Sequence, residues 1–193
     1  MAVRKVIQAG HPNLKKKNLL IKNFDSWETK KLIKDLKSTM YKVGLIGIAA
    51  NQIGENQMIF VTHPRTTKAR KMGKKDKLRV FINPRYTFKS KKESIVYEGC
   101  GSVGDIFGPV SRPKEIEIEA IDEIGQKSRL TCDGILARVI QHEMDHLTGI
   151  EFIEKVSDYS KIVGTQFYRK NIRNSKAQKR NSQVTIIDYK LVK

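Results

Sequence analysis

The chain has 193 residues, enough for one domain with a real core, and carries a net charge of +18 from 38 Lys and Arg against 20 Asp and Glu. No stretch approaches the ~20 apolar residues of a membrane span, and Met1 to Gln8 lacks the apolar run of a secretory signal. Two cysteines make no disulfide framework, so membrane-spanning and disulfide-stapled classes are excluded and a reducing, cytoplasmic compartment is expected.

Residues 25–42 place Leu32, Leu36 and Met40, with Ile33 beside them, on one helical stripe, and Asp25 with Glu28 predicts a capping box. Residues 44–54 form a Gly- and Ala-rich turn, whose small residues suit a backbone lying against a ligand. A strand follows at 57–62. A basic block at 65–77 reads as a loop. Residues 78–82 are the next strand, with 86–94 pairing nearby. Glu115 to Ile121 alternates strictly between charged and apolar residues, the pattern of a half-buried strand, and Gly125 turns it back into 127–131. A helix over about 133–147 buries Ile135, Val139 and Ile140. Beyond Val156 the chain is polar, with a second basic block at 169–180 and strand character at 184–192. Hairpins rather than repeated βαβ units predict an α+β fold, with antiparallel sheets packed around the 133–147 helix. The expected organisation is a catalytic domain at 1–160 and a basic extension at 161–193 that ends in a strand, without repeats.

That helix contains Gln141-His142-Glu143-Met144-Asp145-His146, a His-Glu-x-x-His pattern. Histidines four residues apart share a helical face and reach one metal ion, and Glu143 lies within reach of a water bound to it. A catalytic site of this kind wants three protein ligands and one open position. One protease pattern would put the third at residue 152, but Phe152 cannot bind metal. Another would use a downstream carboxylate, but no acidic residue lies between Asp158 and Asp188. Glu151 and Glu154 sit too close to the helix end. Upstream, Glu98-Gly99-Cys100-Gly101-Ser102 sets a cysteine between glycines that permit close backbone approach. Cys100 is therefore the candidate third ligand, and Cys132 reads as a small buried hydrophobe.

Three motifs resemble those of the peptide deformylases, in the same order. Gly47-Ile48-Ala49-Ala50-Asn51-Gln52 resembles G-x-G-x-A-A-x-Q, Glu98-Gly99-Cys100-Gly101-Ser102 resembles E-G-C-x-S, and Gln141 to His146 matches Q-H-E-x-D-H. Gly10-His11-Pro12-Asn13-Leu14, Phe81-Ile82-Asn83-Pro84, the turn from Asp122 to Gln126 and Asp133-Gly134 extend the likeness over about residues 3–156. The resemblance implies hydrolysis of the formyl group from N-formylmethionyl peptides. It implies one divalent metal per chain on Cys100, His142 and His146. Iron(II) is implied in the cell, with zinc, nickel or cobalt possible in purified protein. Glu143 would be the proton carrier. The Gln52 amide and the Gly101 N–H would be oxyanion donors, and Ile46, Gly47, Glu98, Gly99 and Arg112 would bind substrate.

The chain departs from the pattern at Leu45, where the first motif has Gly, and at Gly101, where the family usually has Leu. A side chain expected to line the methionine pocket is thereby missing. Val103-Gly104-Asp105 also lacks the usual Pro. The runner-up readings are a deformylase-like protein that binds formyl peptides with little turnover, and a metal-containing nucleic-acid-binding protein. The second conflicts with the need of structural sites for four ligands. The blocks at 65–77 and 169–180 suit either solvated segments or contact with ribosomal RNA. No membrane partner is expected.

Overall fold

A computed structural model describes residues 2–67, 76–180 and 183–192, so most of the first basic block lies outside the described residues. After α1 (Pro12–Lys15), the first long element is α2 (Trp27–Val43). Its cap is Ser26, whose hydroxyl accepts from the Thr29 N–H, so the cap lies one residue later than the Asp25 expected. Gly44 ends it at φ 77°, a left-handed conformation that glycine adopts without a Cβ clash. The expected turn at 44–54 instead contains a strand, β1 (Gly47–Ala49), and a 3-10 turn (Ala50–Ile53).

The main sheet has six strands, all paired antiparallel. In spatial order they are β1, β2 (Ile59–Thr62), β3 (Arg79–Lys89), β6 (Glu115–Ile121), β7 (Lys127–Asp133) and β9 (Val184–Leu191). A second sheet holds β4 (Glu93–Cys100), β5 (Val103–Pro113) and β8 (Val163–Gly164). The hairpin expected around Gly125 is present as β6 and β7. The two strands expected at 78–82 and 86–94 are mostly one: β3 runs through Asn83-Pro84 with a register shift between Ile82 and Arg85. Pro84 has no N–H for the ladder, and Asn83 takes φ 49°, a conformation asparagine tolerates. The Asn83 side chain accepts from the Ile21 N–H at 2.9 Å and donates to the Ile21 carbonyl at 2.8 Å, which ties the N-terminal segment to the bulge.

Alternation along β2 and β3 sorts the core onto two faces. Ile59, Val61, Val80 and Ile82 meet Leu32, Ile33, Leu36 and Met40 of α2. Phe60 and Phe81, with Ile116, Ile118 and Leu130, meet Leu136, Ala137 and Ile140 of α3 (Gly134–Leu147). Cys132 is fully buried in this second cluster, as its reading as a hydrophobe predicts. The helix is thus held on one side by the main sheet, and its other side reaches β4 and β5 through Arg138 and His142. Among the described residues no helix is long and apolar enough to cross a membrane.

On the solvent side of the main sheet, Arg85, Glu119 and Arg129 stand opposite one another on β3, β6 and β7. Both arginines reach the Glu119 carboxylate at 2.6 Å, and Lys127 lies 3.4 Å away. Arg129, then Arg85, hold this carboxyl down at about 2, against an ordinary value of 4.5. A depressed carboxyl contributes stability above its unfolded value and loses it as pH falls through the folded one. The stability gap between wild type and Glu119→Gln is therefore expected to be full above about pH 4.5 and to close toward pH 2. Urea midpoints measured across that window check this; a gap that does not change with pH would remove the cationic clamp as its cause.

Candidate metal centre and active site

The last two turns of α3 carry His142, Glu143 and His146, and the end of β4 carries Cys100. One donor atom from each of Cys100, His142 and His146 lies within 4.8 Å of the others, although 42 residues separate the cysteine from the first histidine. Cys100 Sγ is 3.2 Å from His146 Nε2. The two imidazoles stand edge to face with centroids 5.0 Å apart. Burial alone would raise the Cys100 thiol, but His146 and His142 hold it well below the usual thiol range, which favours the form that binds a cation. Burial works against charge on His142 too, and the Cys100 sulfur and the Glu98 carboxylate raise it above its ordinary value.

These features fit a divalent cation. A thiolate and two imidazoles are a known catalytic donor set with one position left open. His142 Nδ1 is taken by Glu98 Oε2 at 3.1 Å, which turns the ring's other nitrogen toward the cluster. Phe152 is 1% exposed and stacks over His142 at 6.2 Å, so the downstream position of the protease pattern is a ring packed on a ligand. Glu151 and Glu154 are both ion-paired to Lys15.

Glu143 is buried beside the cluster, and burial pushes its carboxyl up to about 7. Among the described residues its Oε2 has no hydrogen-bond partner, which is costly for a buried oxygen and marks it as aimed into the site. A Cβ on Gly47 would lie 2.4 Å from Glu143 Oε1 and 2.6 Å from Val139 Cγ1, so only glycine lets β1 pass this close. Ile46 packs with Ile135 and Val139, an apolar wall next to the carboxylate. Gln52 Oε1 accepts from the Ala49 N–H at 2.9 Å. That contact orients Nε2 toward Ser102 Oγ at 3.2 Å and Cys100 Sγ at 3.5 Å. The Ser102 N–H also donates to Cys100 Sγ, at 3.3 Å.

Glu98 and Arg112 turn inward. Arg112 donates from Nε and Nη2 to Glu98 at 2.7 and 2.9 Å and from Nη1 to Asp145 at 2.7 Å. Burial opposes the charge on Glu98, yet Arg112 and His142 keep its carboxyl far below the usual range. Their side chains therefore hold His142 rather than face a ligand, so only the backbone at Glu98 remains for substrate contact. Arg138, which the motif reading passed over, donates to Glu98 Oε1 at 3.0 Å, to the Val110 carbonyl at 2.9 Å and to the Ser94 carbonyl at 2.8 Å. It stands one helical turn before His142, a spacing that could have pointed to it. Asn51, at a position the motif leaves open, donates to the His146 carbonyl at 2.6 Å and so ties the 3-10 turn to the helix.

The exchange at Leu45 and Gly101 has a direct structural account. A Cβ on Gly101 would fall 2.8 Å from Leu45 Cδ1. Leu45 is fixed on both sides of its backbone, its N–H donating to the Met40 carbonyl at 3.0 Å and its carbonyl accepting from Arg65 Nη1 at 2.6 Å. The bulk missing at 101 is supplied from 45, so the wall beside Cys100 is present. Gly101→Leu is expected to cost about 1–3 kcal/mol by overpacking. Leu45→Ala combined with Gly101→Leu should recover most of that, as read from denaturant unfolding. Additive losses would show that the two positions do not share one space.

Comparison with known proteins assigns the chain to a family. The family model for polypeptide deformylase matches residues 3–161. A peptide deformylase of Pseudothermotoga lettingae is 40% identical over 154 residues, covering 80% of this chain and 83% of that protein. The crystal structure of the peptide deformylase from Thermotoga maritima superposes with a TM-score of 0.72 at 29% identity, over 82% of this chain and all of that one. The peptide deformylase from Synechococcus elongatus in complex with actinonin gives 0.71 at 31% identity, over 81% and 80% of the two chains. The matched span begins before β1 and ends past α3, so it holds all three motifs, and this chain belongs to the polypeptide deformylase family.

Proposed function

We propose that this chain removes the formyl group from the N-formylmethionine of peptides, releasing formate, with one divalent metal held by Cys100, His142 and His146. The observation that carries this reading is the meeting of those three donors with a buried carboxylate, Glu143, whose Oε2 has no partner among the described residues. A cation bound there would supply Lewis acidity and lower the pKa of a water it holds. The remaining work falls to the protein. Glu143, whose carboxyl burial raises above its ordinary value, takes a proton from the attacking water and returns it to the departing amine. The Gln52 Nε2 and the Gly101 N–H donate to the oxygen that gains charge as the formyl carbon becomes tetrahedral. Each such donor contributes roughly 3 kcal/mol to the transition state. The Ile46, Ile135 and Val139 wall takes the methionine side chain, and Gly47 and Gly99 offer backbone to the peptide.

The donor set accommodates iron(II), zinc, nickel or cobalt. We assign iron(II) as the metal in the cytoplasm, and its thiolate site makes the enzyme sensitive to oxygen. The exposed side chains of Arg169, Lys170, Lys176, Lys179 and Arg180 suit a contact with ribosomal RNA near the emerging chain. Co-sedimentation with ribosomes that is unaltered by reversing these charges would remove that contact.

Two measurements test the reading. Protein loaded anaerobically with iron(II) is expected to release formate from a formyl-Met tripeptide, with turnover falling by about two orders of magnitude or more in Glu143→Ala. Cobalt(II) titration should give a thiolate charge-transfer band that saturates at one metal per chain and is lost in Cys100→Ser. A saturating band without formate release would leave a metal site on a protein that binds formyl peptides without turning them over.

A further inference from the structure

β4 lies at the edge of its sheet, and an edge strand presents N–H and C=O groups to which an extended peptide can add. Tyr97 of β4 stands opposite Pro109, which has no N–H to give, and the Tyr97 peptide groups face away from β5. One side chain meets both. The Tyr97 N–H donates to Gln178 Oε1 at 3.1 Å, and Gln178 Nε2 donates to the Tyr97 carbonyl at 3.0 Å. The amide stands in for one rung of a neighbouring strand. It is buried, with 7% of the residue exposed, and Nε2 also donates to the Tyr168 hydroxyl at 3.2 Å.

The contact is built from more than one residue. Tyr168 is itself buried and stacks on Phe107 with centroids 3.9 Å apart and planes 5° from parallel. Phe107 lies against Gly99, where a Cβ would come within 2.7 Å of the ring. The segment that carries Tyr168 and Gln178 follows residue 161, where the family match ends, and it is anchored by β8 on β5.

Along a regular antiparallel edge the outward peptide groups recur every second residue, which makes Gly99 the next rung after Tyr97 on β4, at the point where the register with β5 shifts between Glu98 and Cys100. Gly99 precedes Cys100, and beyond Cys100 the chain turns away at Gly101 and Ser102 toward β5. A peptide whose formyl group sits beside Cys100 and the Gly101 N–H, and which pairs with β4, meets Gly99 first and reaches Tyr97 only further along.

We propose that the C-terminal segment closes the peptide groove at Tyr97, with the Gln178 amide occupying the strand-edge rung that a longer substrate would need. Main-chain pairing then reads only about the first three residues of the formyl peptide, since one rung spans two residues of strand. The inference rests on the deformylase reading above and specifies its substrate: an N-terminus recognised over a short length, with the remainder directed away from β4.

The test is kcat/KM for formyl-Met peptides of three to six residues, on the metal-loaded full chain, for wild type, Gln178→Ala and Gln178→Glu. Amide hydrogen exchange at Tyr97 reports whether the rung has opened, and thermal midpoints report whether the variants remain folded. Wild type should gain nothing beyond the tripeptide. In Gln178→Ala the hexapeptide-to-tripeptide ratio should rise about fivefold, through KM, as one main-chain hydrogen-bonded rung becomes available. Gln178→Glu keeps an acceptor for the Tyr97 N–H but loses the donor to its carbonyl, and should fall between. A wild-type rate that climbs steadily with length overturns the proposal. So does an unchanged length profile in a variant whose Tyr97 amide has become exposed to exchange. Absence of formate release from the tripeptide by wild type is a separate failure, that of the deformylase reading. In that case calorimetric affinity against peptide length makes the same comparison, with the same outcomes for the groove.

Discussion

The Glu98 carboxylate is buried, and its satisfaction constrains everything around the site. A charge in that position is tolerated only when every oxygen has a donor. Here the donors come from two elements, Arg112 on β5 and Arg138 and His142 on α3, and Glu98 itself lies on a third, β4. The small sheet and the helix therefore dock at one separation and one rotation. Arg138 reinforces that position by spanning from the helix to the Ser94 and Val110 carbonyls, and Arg112 closes the other end on Asp145. The outcome at the site is a His142 ring with one nitrogen engaged and the other aimed at Cys100. Ligand geometry is thus a by-product of how two sheets clasp one helix.

Glycines mark where backbone replaces side chain around this clasp. Gly47 lies on Glu143, Gly99 under Phe107 and Gly101 under Leu45, and at each a Cβ would fall within 3 Å of its neighbour. At these three positions on or beside β1 and β4 the backbone passes directly against a neighbouring side chain. At Gly101 the space that a side chain would take is occupied by Leu45. This removes the main reason for reading the chain as a degenerate relative.

The C-terminal segment belongs to the same structure. β8 extends the small sheet and β9 extends the main one on β7, so residues past the family match complete both sheets. Gln178 and Asn83 make the same contact in different places, a side-chain amide that pairs with both peptide groups of one residue in another segment. Both join segments that have no strand of their own to offer.

What the sequence determined by itself is what lies within a few residues: the helical face that carries His142, Glu143 and His146, the alternation of Glu115 to Ile121, the stripe of α2 and the turn at Gly125. Backbone periodicity encodes these, and each is found in the fold. Local signals misjudged places where a distant partner decides. Asp25 lost the cap to Ser26, whose hydroxyl has the Thr29 N–H in reach, and β3 continues through Pro84 because Asn83 is held by Ile21. Cys100 was picked out by its glycines, but only packing brings it to two histidines more than 40 residues away. The inward turn of Arg112, the part taken by Arg138, the filling of Gly101 by Leu45 and the closing of β4 by Gln178 are all tertiary. Each depends on which surfaces meet, and a one-dimensional pattern fixes which face a residue occupies without fixing what that face will touch.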